Sequence, residues 1–510
     1  MGELVRSIPT TVVVLSFALV TGCSFALDSD WEQCSTDEDC AQFETDRHVA
    51  CQSNVCVKTE FGPAGCSTKE PTTDSEFANR CTTASTMQFD NCDRLGLCSD
   101  TMVAGAMATK VAPTAVGNTV TVENHQTAPT VSCVQALADS TIIYVTGSTN
   151  LPPLIQAVQA AFDTQTPHFT VVFAPQTSCR GAASIYDPDP AKHLIKDQVD
   201  NYAFYYKPGD TKPTFCLLAP GGNVVDVGES DVYPQSCGYG AVAGIADYLG
   251  PIQAITFVVP ASSSQRVISA EAAHLVFGAG GNGNRTAPWT DPSLYFVRSS
   301  GTGTVQLPSR AIQVDPVAWW GIDRLSATNL VDSMRVIDPT KSESAIGILS
   351  SDFADRNRGS LRVLAFQQRG QRHAYFPDST PESADKANVR DGHYPIWGAI
   401  HLLAPTINDV ASPTARALIN QLHGAQLDRR VVDAIIDGGY IPQCAMKVKH
   451  SEEVGPLTVE DSDFGCSCYF DDRVTHGKAS CPKCELSTDC PAGDACRYGF
   501  CEKPPGPGGS

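Results

Sequence analysis

Between residues 140 and 405, short apolar runs alternate with stretches whose apolar positions recur at helical spacing. "STIIYV" (140–145), "FTVVFA" (169–174), "ITFVVPA" (255–261) and "LRVLAF" (361–366) are rich in β-branched and aromatic residues, and each predicts a buried strand. "PPLIQAVQAAFD" (152–163) instead places apolar residues at 154, 155, 158, 161 and 162, one stripe of a helix that Pro152 and Pro153 start. "RVISAEAAHLVFG" (266–278) continues the alternation. Strands and helices in this order predict an α/β fold.

The two ends break the pattern. Residues 1–22 carry Arg6, then the apolar run "TTVVVLSFALV", short for a membrane span, and lead to Val20-Thr21-Gly22-Cys23. This resembles the lipobox of bacterial lipoproteins. It predicts a signal peptide over 1–22 and Cys23 as the lipidated first residue of an exported, membrane-anchored chain. Ser24 points, by the usual sorting pattern, toward the outer membrane.

Cysteine usage supports export. Of 21 cysteines, the 20 beyond Cys23 fall into even blocks: eight over Cys34–Cys98, four over Cys133–Cys237, eight over Cys444–Cys501. Each block can close on itself as disulfides, with the connectivity open. The ends share a repeat, C-x5-C-x10-C-x4-C from Cys34 to Cys56 and C-x5-C-x5-C-x4-C from Cys484 to Cys501. Units this short bury little apolar surface, so disulfides are expected to hold them. Cys466-x-Cys468 with Cys481-x2-Cys484 also has the spacing of a four-thiolate zinc site, but an oxidising compartment favours disulfides. The resulting organisation is a cysteine-rich module over 23–100, a small-residue linker over 101–130, a central domain over 131–445, a second cysteine-rich module over 446–504 and a disordered tail over 505–510.

The formal charge of −20 argues against nucleic acid or an anionic membrane surface as a partner. Any anion site must then work through local donors. Four segments following strand-like runs supply them: "TGSTN" (146–150), "QTSCRG" (176–181), "VGESDVYP" (227–234) and "RSSGTGT" (298–304). Hydroxyls and free amides at helix starts suit an oxyanion, and in open α/β sheets such junctions meet at the carboxyl ends of the strands.

In order and spacing these segments resemble the PstS-type phosphate-binding proteins of bacterial ABC transporters. Gly147-Ser148-Thr149-Asn150-Leu151-Pro152-Pro153 is similar to that family's G-x-T-x-x-x-P junction, Gly228-Glu229-Ser230-Asp231 to its G-x-S-D, and Arg298 to Thr304 to its R-S-D-G-S-G-T, with Ser300 in place of the aspartate. "APWTDPSL" (287–294) and "SAIGILSSDFA" (344–354) are further echoes. The resemblance spans about residues 139–405 and neither cysteine-rich end.

It implies a class II periplasmic-binding-protein fold of two α/β lobes, one of about 139–257 with 364–445 and the other of about 258–363, closing by a hinge motion. It further implies that Thr149, Asn150, Ser178, Arg298, Thr302, Gly303 and Thr304 donate to a phosphate while Asp231 accepts from it. Inorganic phosphate or a related oxyanion is the implied ligand, an ABC permease the implied partner. A lipid-anchored solute-binding protein is therefore expected. Another oxyanion, or a non-transport surface lipoprotein that keeps the fold, is the alternative. The long insertion over 182–226 either covers the cleft mouth or decorates the surface. "GAGGNG" (278–283) matches G-x-G-x-x-G but follows a helical pattern and reads as a loop. Without a G-x-S-x-G elbow or H-E-x-x-H, a binding protein is expected rather than an enzyme, with no cofactor and no catalytic or metal-binding residue.

Overall fold

Three of the four apolar runs named above, "STIIYV", "FTVVFA" and "ITFVVPA", form strands of one large sheet in a computed structural model of the chain. It describes residues 49–52, 55–58, 66–67, 70–96, 129–196, 201–281, 286–424, 426–460 and 464–503 of the 510. The signal segment 1–22 with Cys23, most of the 101–130 linker and the tail lie outside the described residues. Met1–Ala64 and Gly65–Ser510 form separate units. Of the first, an antiparallel hairpin is described, Val49–Gln52 with Val55–Lys58, in which Cys51 lies opposite Cys56.

In the second unit, strand β1 (Thr141–Ser148) leads into helix α1 (Pro152–Phe162), whose first two positions are the prolines that preset its first turn. Leu154, Ile155, Val158, Ala161 and Phe162 are all buried, as the stripe required. Strand β2 (Phe169–Gln176) leads into α2 (Ser178–Tyr186). The described part of the 182–226 insertion adds to the sheet. Its strands β3 (Tyr202–Tyr205) and β4 (Thr214–Leu217) extend the sheet beyond β2, antiparallel, and Cys133–Cys216 ties β4 down. Then come β5 (Val227–Ser230), β6 (Ile245–Pro260), α3 (Ala270–Ala279), β7 (Tyr295–Val297), α4 (Gly303–Ile312), β8 (Ile322–Asp323), β9 (Ile346–Ser350), α5 (Ser351–Arg356) and β10 (Trp397–Ile407).

The main path of the sheet is β8-β7-β9-β6-β10-β5-β1-β2-β3-β4. β5, β1 and β2 run parallel at the heart of the first lobe, and β9, β7 and β8 run parallel in the second. The two long strands join them. β6 pairs antiparallel with β10 from Ile245 to Ala254, across a register shift between Leu249 and Ile252, and then with β9 from Ile255 to Val258. Its second half is buried throughout and apolar except for Gln253 and Thr256, as a strand covered on both faces is expected to be. This is the two-lobe α/β fold that the sequence resemblance implied.

Local departures have local causes. "LRVLAF" splits at Leu364 into Leu361–Val363, which pairs with β6, and Ala365–Gln367, which joins a separate four-stranded sheet with Thr86–Met87 at its edge. "RVIS" opens as a strand, Val267–Ser269, before the Ser269 hydroxyl caps α3 by accepting from the Ala272 amide. The described part of "GAGGNG" is the end of α3, where Gly280 takes the left-handed conformation at φ 63°.

All eight cysteines of the C-terminal block close as Cys444–Cys466, Cys468–Cys481, Cys484–Cys496 and Cys490–Cys501, so the zinc spacing holds no free thiolate. Cys179–Cys237 completes the central block, and Cys66–Cys81 belongs to the first. Phe77, Phe89, Tyr469, Phe470 and Phe500 share one hydrophobic cluster with Phe257 and Trp289, so the chain ends within this unit pack on the lobes. Among the described residues, no helix is long and apolar enough to cross a membrane.

Candidate functional site

The site forms where the ends of β1, β5 and β7 and the starts of α2 and α4 converge. Asp231, immediately after β5, is its centre, with 2% of its surface exposed. Its Oδ2 accepts from Ser178 Oγ at 3.1 Å and from Asn150 Nδ2 at 3.3 Å. Its Oδ1 is buried and has no partner among the described residues. Burial raises the Asp231 pKa, while the hydrogen bonds from Ser178 and Asn150 oppose the shift.

Each donor has a local reason for its place. Asn150 lies in the turn between β1 and α1; its carbonyl accepts from the Tyr440 hydroxyl at 2.8 Å, and its amide group also donates to Gln253 Oε1 at 3.1 Å. Ser178 is the first residue of α2, which Thr177 caps by accepting from the Arg180 amide. Cys179–Cys237 staples that helix start to the turn that follows Asp231. Thr149, beside Asn150, is exposed and makes no hydrogen bond with the cluster.

The second lobe meets the first directly. The Gly303 amide donates to Ser178 Oγ at 3.0 Å, and the Cys179 amide to the Gly301 carbonyl at 3.1 Å. A Cβ on Gly303 would lie 2.5 Å from Asp231 Cβ, so only glycine lets α4 begin this close to the carboxylate. Helix α4 starts at Gly303 although Pro308 lies inside it. Thr302, its N-cap, donates its hydroxyl to the Ser299 carbonyl at 2.7 Å, and Thr304 is buried in the first turn.

Arg298, one residue past β7, is 7% exposed, and its Nε has no partner. It forms no salt bridge among the described residues. Burial lowers its pKa, and the charges of Asp323 and Asp231 act in the opposite direction. Asp323, from β8, also accepts from Ser299 Oγ at 2.6 Å, so an acid's charge acts on Arg298 although Ser300 is no aspartate. Ser300 contributes its carbonyl, which accepts from Gln306 Nε2 at 2.6 Å.

Asn150, Ser178, Asp231 and Gly303 are joined by hydrogen bonds in this convergence, Arg298, Thr302 and Thr304 lie buried on the β7–α4 segment that enters it, and Thr149 is exposed at its edge. Sequence reasoning missed Ser148, Glu229, Gln253, Asp323 and Tyr440. Glu229 is wholly buried, and its Oε2 accepts the Ser148 amide at 2.5 Å. Gly181 makes room for the Glu229 backbone, since a Cβ there would lie 1.7 Å from the Glu229 carbonyl oxygen. Gln253 passes the network on to Asp352, which pairs with Arg356 at 2.7 Å. An array with hydroxyl, amide and guanidinium donors around one acceptor can hold an oxyanion that carries a proton.

No family model matches the chain, and no curated protein matches it. Among solved structures it is similar to a possible phosphate-binding protein from Planctomyces limnophilus, at 14% identity and a TM-score of 0.38 over 59% of this chain and 93% of that one. It is likewise similar to an ABC-type phosphate transport receptor from Vibrio cholerae, at 13% identity and a TM-score of 0.39 over 59% and 99%. A lower likeness, 8% identity and a TM-score of 0.30 over 58% and 98%, is to the regulatory domain of OxyR from a pseudomonad.

Proposed function

We propose that this chain is an exported solute-binding protein that captures phosphate between its lobes for ABC-type uptake, tethered by a lipid on Cys23. One observation carries the ligand: among the described residues a buried guanidinium, Arg298, has no ion-pair partner and a buried carboxylate oxygen, Asp231 Oδ1, has no donor, each within reach of the other's charge. Leaving either group unmatched is costly. A protonated oxyanion satisfies both, offering negative oxygens to Arg298 and a hydrogen to Asp231. The direct Gly303–Ser178 contact means that loading parts the lobes, and the β6–β10 pair provides the hinge.

A thermal melt of the purified protein tests this. At phosphate a hundredfold above Kd the folded state gains about 2.7 kcal/mol, read as a rise in Tm. A melt unmoved by millimolar phosphate would contradict the proposal. The anchor has its own test: Cys23→Ser is expected to move the protein from the membrane to the soluble envelope fraction. Unchanged membrane fractionation would remove the lipid from the proposal.

A further inference from the structure

Capture by Arg298, Ser178 and Asp231 leaves Glu229 without a task. It lies two residues before Asp231, and both carboxyl groups accept from the same turn after β1, Glu229 from the Ser148 amide and Asp231 from Asn150 Nδ2. It is wholly buried; Oε2 accepts the Ser148 amide, and Oε1, like Asp231 Oδ1, has no donor among the described residues. Two orphaned carboxyl oxygens thus occur on neighbouring side chains.

The charges nearby do not support two carboxylates. The charges of Asp323 and then Asp231 act on Arg298. Asp352 is taken by Arg356, and Tyr440 is neutral, its pKa pushed well above the ordinary value by burial. His401 sits opposite Ser230 in register and pairs with Asp247. Two adjacent carboxyl groups in a dry site do not both ionise. Burial first, and then the charge of Asp231, push the Glu229 pKa well above its ordinary value. A proton on Oε1 turns that oxygen into a donor, and a carboxylate has lone pairs enough to accept from Glu229 and from a ligand together.

We infer that Glu229 is a positioning residue, a neutral carboxylic acid donating to Asp231, and that the site captures its oxyanion only while this proton is in place. The inference rests on the phosphate reading of the site. Loss of the proton places a second negative charge beside Asp231 and opposes an anion. Affinity therefore falls as pH rises through the Glu229 pKa, by about tenfold per pH unit beyond it. Glu229→Gln offers an N–H in place of the O–H and cannot ionise.

The test uses the full chain with ¹³C-labelled glutamate, following the Glu229 carboxyl carbon from neutral to alkaline pH. Phosphate is titrated in parallel, above its own second ionisation. The expected result is a protonated Glu229 signal at neutral pH, a loss of wild-type affinity that tracks its titration, and a flat profile in Glu229→Gln. An ionised signal at neutral pH, or equal slopes in the two proteins, would overturn the inference. Should the variant not fold, the match or mismatch between the wild-type carbon titration and the wild-type affinity profile decides. If wild type binds no phosphate, the phosphate reading fails, while the carbon signal still reports whether Glu229 holds its proton.

Discussion

Arg298→Met is expected to weaken phosphate binding by about 30-fold to several thousand-fold while leaving the empty protein as stable as wild type or more so. The guanidinium is buried without an ion-pair partner among the described residues. In the empty state it therefore bears the cost of lost hydration with little return. Methionine fills similar volume without charge, so the empty fold loses little packing. In the loaded state the same guanidinium supplies the charge-assisted bonds to the anion. Removing one partner of such a buried pair costs about 2–5 kcal/mol, which is about 30-fold to several thousand-fold in Kd. The checks are calorimetric titration with phosphate and a melt without it. Retained affinity would show that the anion lies elsewhere, and a large fall in Tm without ligand would show that Arg298 is a structural residue.

Asp231→Asn is expected to reduce the preference for phosphate over sulfate. Oδ2 is occupied by Ser178 and Asn150, which leaves Oδ1 as the oxygen to meet a ligand. Phosphate near neutral pH carries a proton to donate there. Sulfate carries none, so its lone pairs would face those of a buried carboxylate. A site built around such a hydrogen bond rejects the mismatched ligand by about 10⁴-fold or more. The asparagine amide can turn an N–H toward either anion, so the ratio is expected to fall by at least about tenfold. An unchanged ratio in Asp231→Asn would remove Asp231 from the selectivity mechanism.

Much of this was legible in the chain because its signals are local. β-branched runs marked β1, β2 and the second half of β6, and the paired prolines marked the start of α1. Hydroxyls and glycines at strand ends marked Ser178 and the 298–304 turn. Cysteine parity was local too, and the central and C-terminal blocks close as their even counts required. Spacing alone could not give the pairings, which depend on how the elements pack.

What was missed is non-local. Tyr440 holds the Asn150 carbonyl across 290 residues of sequence, and Gln253 reaches Asn150 across 103. Nothing near either residue marks it as part of an anion site. Asp323 lies on a two-residue strand too short to show a pattern. Glu229 is different. It stands two residues before Asp231 in the same short segment, and that closeness was readable before any coordinates. The 182–226 insertion was ambiguous because its strands gain meaning only from the free edge of β2.

The most direct measurement is calorimetric titration of the wild-type protein with phosphate and with sulfate under the same buffer conditions near neutral pH. The expected result is one phosphate per chain, with sulfate bound weakly or not at all. Sulfate bound as tightly as phosphate, or neither anion bound, would contradict the assignment of Arg298 and Asp231 to a phosphate site.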